Sequence, residues 1–339
     1  DAFRTARVRH GDDGQLGIRA SGNEVNAPEH IVGAPSGHDG CTVVDVASGE
    51  KHTMFLAEDG KLWSVGWNKQ GQLGRGDSSA GSYTINPIPV PTSPKFVQIS
   101  AGRAHTAAIT EDGRLFVWGC NVHGQCGVSG QVGEAQCRFV EEINEAIQVA
   151  CGPDDTIVLM ESGRIYTFGQ QHDGACLHEP AEITEFIGMP IVSVQAGGPH
   201  WAALSACGTV VTWGKNEYGQ LATNDTMVVL QSEQIDSLSK MRVVDIALGD
   251  SHSLFLTVDG RVFVRRQQLW PDRMRPDDRR EQHAQGHSES EELARDAYCR
   301  RQDSLARRDG GRSRLLFRSQ RQRPARTGIR EESAHAQTS

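Results

Sequence analysis

The sequence predicts an all-β β-propeller, and three observations carry that prediction. Similar strings recur at a period of about fifty residues, each period holds an Asp-Gly-type turn at the same place, and each turn is followed by a period-two run of aromatic and β-branched residues. Composition agrees: 37% of the 339 residues are apolar, enough for a globular core, and 37 glycines and 13 prolines divide the chain into segments too short for long helices.

Taken in order, the units open on Gly49, Gly102, Gly152, Gly198 and Gly249. Residues 49–77 read GEKHTMFLAEDGKLWSVGWNKQGQLGRGD, and the next unit returns GRAHTAAITEDGRLFVWGCNVHGQCG. After the opening glycine comes a short apolar run, then a turn: EDGK at 58–61, EDGR at 111–114, ESGR at 161–164, ACGT at 206–209 and DGR at 259–261. Glycine accepts the positive φ that such a turn demands, so each unit contains a hairpin. Beyond the turn, Trp63 and Val65, Phe116 and Trp118, Tyr166 and Phe168, and Val211 and Trp213 alternate with smaller residues, which places one face of a strand in a core. Gly66, Gly119, Gly169 and Gly214 close that strand where it becomes loop. The runs FVQISAG, IQVACG, IVSVQAG and VVDIALG supply further strands. Each unit is therefore expected to be one propeller blade of three or four antiparallel strands, with the Asp-Gly hairpin on its outer strands.

Residues 1–264 account for about five blades, with a partial unit before Gly49 whose end is marked by Gly14-Gln15-Leu16-Gly17. That is an incomplete ring. The chain changes character near residue 265: net charge is −14 over 1–264 and +6 over 265–339. An acidic body disfavours nucleic acid as its main ligand, because phosphate binding needs clustered Lys and Arg. The segment RRQQLWPDRMRPDDRR follows Val264 where another loop of the repeat is due. One reading is a low-order, Arg-rich, non-propeller tail. A sharper one is out-of-frame sequence. Arg265 to Met274 can be encoded CGG CGG CAA CAG CTA TGG CCA GAC CGG ATG, and dropping the first base yields Gly-Gly-Asn-Ser-Tyr-Gly-Gln-Thr-Gly, parallel to GKNEYGQLA at 214–222.

There is no apolar run near eighteen residues and no charged-then-apolar leader, so neither a membrane span nor a secretory signal is read; the chain starts at Asp1 rather than Met, as a fragment would. Eight cysteines without a C-x-x-C pair are read as reduced thiols of an intracellular protein, cytoplasmic or nuclear. The sequence contains no phosphate-binding loop, H-E-x-x-H, G-x-S-x-G or spaced carboxylate and histidine cluster. No catalytic residue, metal, cofactor or small-molecule substrate is therefore expected.

The repeat G-x-x-H-T-x-x-L-x-x-D-G-x-L-x-x-W-G-x-N-x-x-G-Q-L-G resembles that of the regulator of chromosome condensation family, and residues 49–74 satisfy nearly all of it. The resemblance covers 49–264. The histidine of G-x-x-H stands at His52, His105, His200 and His252, while the unit opening at Gly152 has Asp155 there. Repetition argues for a shared structural role, such as a bond that fixes the turn. The resemblance implies a second role, since in members that act on the small GTPase Ran these loops face the GTPase. By that resemblance His52, His105, Asp154, His200, Asp250 and His252 line a partner-binding face, with a Ran-like small GTPase as candidate partner and chromatin as another. Guanine nucleotide exchange needs no nucleophile, only tighter binding to the nucleotide-free partner, and by linkage nucleotide expels the factor in turn. The unit containing WGCNVHGQCG has no insertion like the strand wedge of Ran exchange factors. Two readings stand: an interaction propeller, and an exchange factor.

Overall fold

A computed structural model describes residues 14–15, 42–78, 81–90, 94–129, 133–223 and 225–265. They form five antiparallel sheets. The first holds β1 (Val43–Ser48), β2 (His52–Ala57), β3 (Leu62–Gly66) and β4 (Ser82–Pro87). The second holds β5 (Phe96–Ala101), β6 (His105–Thr110), β7 (Leu115–Cys120) and β8 (Gly133–Phe139). The third holds β9 (Ala146–Cys151), β10 (Asp155–Met160), β11 (Ile165–Gln170) and β12 (Cys176–Glu182). The fourth holds β13 (Ile191–Ala196), β14 (His200–Ser205), β15 (Val210–Gly214) and β16 (Val229–Gln234), and the fifth β17 (Val243–Leu248), β18 (Ser253–Thr257) and β19 (Val262–Arg265). In each sheet the strands lie side by side in chain order. The only helical pieces among the described residues are two 3₁₀ turns, Thr184–Phe186 and Asp236–Leu238. The protein is thus an all-β propeller. The expected Arg-rich or out-of-frame tail over 265–339 lies outside the described residues except for Arg265, which ends β19, and any closure of the ring through it lies outside them too.

The turn glycines behave as anticipated, with φ between 79° and 90° at Gly60, Gly113, Gly163, Gly208 and Gly260. The Gly60 N–H reaches the Ala57 carbonyl at 2.9 Å, and Ala57 N–H reaches that of Lys61 at 2.9 Å, which closes the hairpin. Its place in the sheet differs from expectation. The Asp-Gly hairpin joins the second and third strands, the central pair, because the chain continues past each closing glycine into a fourth, outer strand.

Burial also exceeds the period-two reading. The strands β2, β6, β10 and β14 are buried at every residue. The strands β6, β10 and β14 have a described sheet on both faces, so residues between the large apolar ones are buried there too. Met54, Leu56, Phe96, Phe116 and Trp118 fill the space between the first two sheets. Ile109, Leu115, Val149, Val158 and Phe168 fill the next, and Ile157, Leu159, Val194, Trp201 and Trp213 the third. Burying each such side chain contributes roughly 1.5–3 kcal/mol. Two buried hydroxyls in the third strands are answered by loop carbonyls: Ser64 Oγ donates to Leu73 O at 3.0 Å and Thr212 Oγ1 to Leu221 O at 2.9 Å.

The loop after the third strand is rigid for a reason written in its sequence. In N-x-x-G-Q the asparagine carbonyl accepts the N–H five residues on, as Asn68 does from Leu73 (2.9 Å), Asn121 from Cys126 (2.9 Å) and Asn216 from Leu221 (3.0 Å). The third sheet lacks this loop, having Gln171 and Ala175 where the others carry asparagine and glutamine.

Candidate partner-binding face

All G-x-x-H loops and N-x-x-G-Q loops lie at the same end of their sheets, since each second strand starts where its neighbours end. The opening glycine N–H bonds the carbonyl of the residue three positions on: Gly49 to His52 (2.9 Å), Gly102 to His105 (3.0 Å), Gly152 to Asp155 (3.0 Å), Gly197 to His200 (2.9 Å) and Gly249 to His252 (2.9 Å). The fourth unit therefore opens at Gly197, which corrects the alignment on Gly198. The need for glycine is steric. A Cβ on Gly49 would come within 2.2 Å of the His52 ring, and one on Gly102 within 2.2 Å of His105.

Each buried histidine reaches across to the next sheet. His52 Nε2 lies 2.9 Å from Thr106 Oγ1, His105 Nε2 lies 3.0 Å from Thr156 Oγ1, and His200 Nε2 lies 2.9 Å from Ser253 Oγ. Those hydroxyls donate onward to Gln72 O (3.2 Å), Gln125 O (2.8 Å) and Gln220 O (2.7 Å), carbonyls of the first sheet's own N-x-x-G-Q loop and its counterparts. A hydroxyl has one proton, so the histidine must be the donor to it, which fixes the Nε2–H tautomer. The result is a relay from imidazole to hydroxyl to loop carbonyl that ties consecutive sheets together. The expected bond that fixes the turn is in fact a bond between sheets. Burial, the main cause, pulls the pKa of His52 down to about 3 and those of His105 and His200 to about 4. The relay thus works with neutral rings.

One joint is built otherwise. Asp155 stands at the histidine position, and Trp201 stands where the next sheet should offer Thr or Ser. The Trp201 Nε1–H donates to Asp155 Oδ2 at 2.6 Å. His172 packs against the Trp201 ring with centroids 3.7 Å apart, and Trp213 stacks on it at 6.2 Å. The third sheet lacks the N-x-x-G-Q turn, and at this joint an indole that only donates meets a carboxyl that accepts. Burial raises the Asp155 carboxyl well above the usual carboxylate range.

The expected face therefore needs correction. His52, His105 and His200 are fully buried and offer a partner no surface. Asp154, Asp250 and His252 remain as candidates: Asp250 and His252 are exposed, and Asp154 is partly so. Arg103, a loop residue that differs from unit to unit, joins Asp154 at 3.1 Å and Glu50 at 3.8 Å with its guanidinium across three consecutive units. Lys51, in the corresponding loop of the first sheet, sits over the Trp67 ring at 5.5 Å. Among the described residues no helix is long and apolar enough to cross a membrane.

Five sheets built on one repeat, joined in series by a relay from each loop end, define a repeat-type β-propeller. The chain belongs to the RCC1-like domain family, whose model matches residues 10–265. It is 32% identical over 246 residues to the probable E3 ubiquitin-protein ligase HERC6 of Homo sapiens, covering 68% of this chain and 24% of that protein. It is also 32% identical over 230 residues to the RCC1-like G exchanging factor-like protein of Mus musculus, covering 60% of this chain and 50% of that one. Among solved structures, Prp20p of Saccharomyces cerevisiae matches with a TM-score of 0.65 at 25% identity, over 76% of this chain and 64% of that chain. The chain spans a quarter of the ligase and half of the exchanging factor.

Proposed function

We propose that the chain is a protein-interaction propeller whose partner docks on the loop end of the sheets. The observation that carries this reading is the contrast within each G-x-x-H loop. The opening glycine is held constant and a buried relay residue follows it in four of the five described units, while the residues between differ from unit to unit: Glu50-Lys51, Arg103-Ala104, Pro153-Asp154 and Asp250-Ser251. Rigid frames that vary only their exposed loop residues are where binding specificity resides. Glu50, Arg103, Asp154, Asp250 and His252 form the contact set under this reading, and an acidic component would speed encounter with a basic partner surface.

The partner we favour is a Ran-like small GTPase, because one relative is named as a G exchanging factor-like protein and the Prp20p structure is described with binding to Gsp1p and histones. A second reading, exchange activity, rests on the same relative. Histones are the chromatin alternative. An intracellular location, cytoplasmic or nuclear, fits any of these. The test mixes the full chain with Ran carrying fluorescent GDP. Capture without faster release of GDP supports the platform reading, and accelerated release supports exchange. Changing Asp154 and Asp250 together to Lys should weaken capture by about tenfold or more, since like-charge juxtaposition at an interface is costly. Capture that survives both changes and is lost on deleting 265–339 would overturn the face.

A further inference from the structure

The joint between the third and fourth sheets holds a buried acid that the proposed function does not use. Asp155 is 3% exposed and accepts the Trp201 indole proton at 2.6 Å. Its Oδ1 packs against Gly152, where an added Cβ would come within 2.3 Å of it. Among the described residues, the groups that face Asp155 supply no cation. Cys151 on β9 is a thiol that burial pushes up to about 12. His105 on the second sheet is held neutral by burial, with a pKa of about 4. His172, packed against the Trp201 ring, is lowered by burial to about 3. Asp154 is a like charge, and the nearest guanidinium, Arg103, is engaged with Asp154 at 3.1 Å.

We propose that this joint is a proton-operated latch, closed while the Asp155 carboxyl carries its proton and opening when that proton leaves. An ionised carboxylate sealed between two sheets without a cation is strongly disfavoured, and water reaches it only if the sheets part. Loss of the proton and opening of the joint are therefore linked. The upward displacement of this carboxyl by burial has the same origin. The latch sits beside Asp154, so its opening would move the loop end that carries the candidate face.

The neighbouring joint provides an internal control. At the second-to-third joint the Val149 N–H donates to Gln98 Oε1 at 3.0 Å, and at the third-to-fourth joint the Val194 N–H donates to Gln148 Oε1 at 3.0 Å. These are the same bond in consecutive interfaces. Amide hydrogen exchange of the full chain, corrected for the intrinsic effect of pH, should show protection at Val194 falling relative to Val149 as pH rises from 5.5 to 8.5. One linked proton gives a slope of up to about tenfold per pH unit. Asp155→Asn, which keeps the acceptor and has no proton to lose, should flatten that slope. Should Asp155→Asn fail to fold, the double change of Asp155→His with Trp201→Thr restores the pair used at the other joints and should be flat as well. A Val194 to Val149 ratio that stays constant across this range in the unaltered chain, or a slope that persists in either variant, would overturn the proposal.

Discussion

Consecutive sheets of this protein are fastened by two different chemistries, and the contrast shows what a repeat must conserve. At three joints a neutral imidazole, a hydroxyl and a loop carbonyl act in series, with His52, His105 and His200 as donors. At the fourth joint a carboxyl and an indole do the same mechanical task. The relay needs three parts at once. The loop following Gly169 carries Ala175 in the position of Gln72, Gln125 and Gln220 and Gln171 in the position of the asparagine, so it does not form the N-x-x-G-Q turn. All three parts differ together at that joint. What the repeat holds constant is a satisfied hydrogen bond inside a dry interface, not a residue type, because an unsatisfied buried donor costs about 1–3 kcal/mol.

The two chemistries answer oppositely to pH, and this gives the largest expected effect. In the unfolded chain these imidazoles take up a proton near the ordinary pH of about 6.5, whereas in the fold they do so only at about 3 to 4. Between those limits the unfolded state binds more protons, so the stability is complete above about pH 6.5 and is lost as pH falls. Each histidine removes about 1.4 kcal/mol per pH unit inside that window. Asp155 runs the other way: its folded carboxyl holds a proton to higher pH than the unfolded one, so its contribution is greatest in acid and declines as pH rises. Urea midpoints measured from pH 7.5 down to 4.5 should therefore fall steeply, and His105→Gln should reduce the slope. A flat profile would break the comparison, since it would mean that the rings charge within the fold.

Truncating the two kinds of joint sharpens the same contrast at a smaller scale. Trp201→Ala removes a large buried ring and leaves Asp155 without its donor, so the unfolding free energy should fall by about 4 kcal/mol. Thr156→Ala takes away one methyl and one hydroxyl and leaves the His105 proton unanswered, for a loss of about 1–3 kcal/mol. Urea denaturation at pH 7 separates the two. Equal losses would show that the indole serves only as the hydroxyl does, and that its packing against His172 and Trp213 adds nothing.

Much of this architecture was legible in advance because its signals are local. A glycine that must take positive φ and an alternating aromatic run report on their own neighbours, so the strands and hairpins emerge from the sequence alone. The joints were less legible, because each relay joins residues about fifty positions apart and the histidine gives no sign of which way its ring turns. That is why the repetition of His52, His105 and His200 suggests a structural role without showing its partner, while the family resemblance puts them on the face. A signal was nonetheless present: the residue after the relay position runs Thr53, Thr106, Thr156, Trp201, Ser253, and the one large departure follows the one unit that replaces histidine by Asp155. Paired departures from a repeat mark a contact. Gly197-Gly198 defeated the alignment for a simpler reason: two glycines adjoin, but only Gly197 stands three residues before His200 as the pattern requires, and its N–H bonds the His200 carbonyl.

The smallest expected effect comes from the same residue type at the same place in the repeat. His252 occupies the position of His105, and its glycine, Gly249, cradles it so closely that an added Cβ would fall within 2.1 Å of the ring. Its backbone is held in the same way, by the Gly249 N–H at 2.9 Å. Yet His252 is exposed where His105 is fully buried. If stabilisation resided in the turn itself, His252→Ala and His105→Ala would cost alike. If it resides in the joint, His105→Ala should cost about 1–3 kcal/mol through the unanswered Thr156 hydroxyl and the lost ring packing, while His252→Ala should stay within about 0.5 kcal/mol, as surface changes do. Thermal or urea unfolding of the two variants side by side decides the matter. A large loss at His252 would return the histidine to the turn and remove the relay from the account of what holds the sheets together.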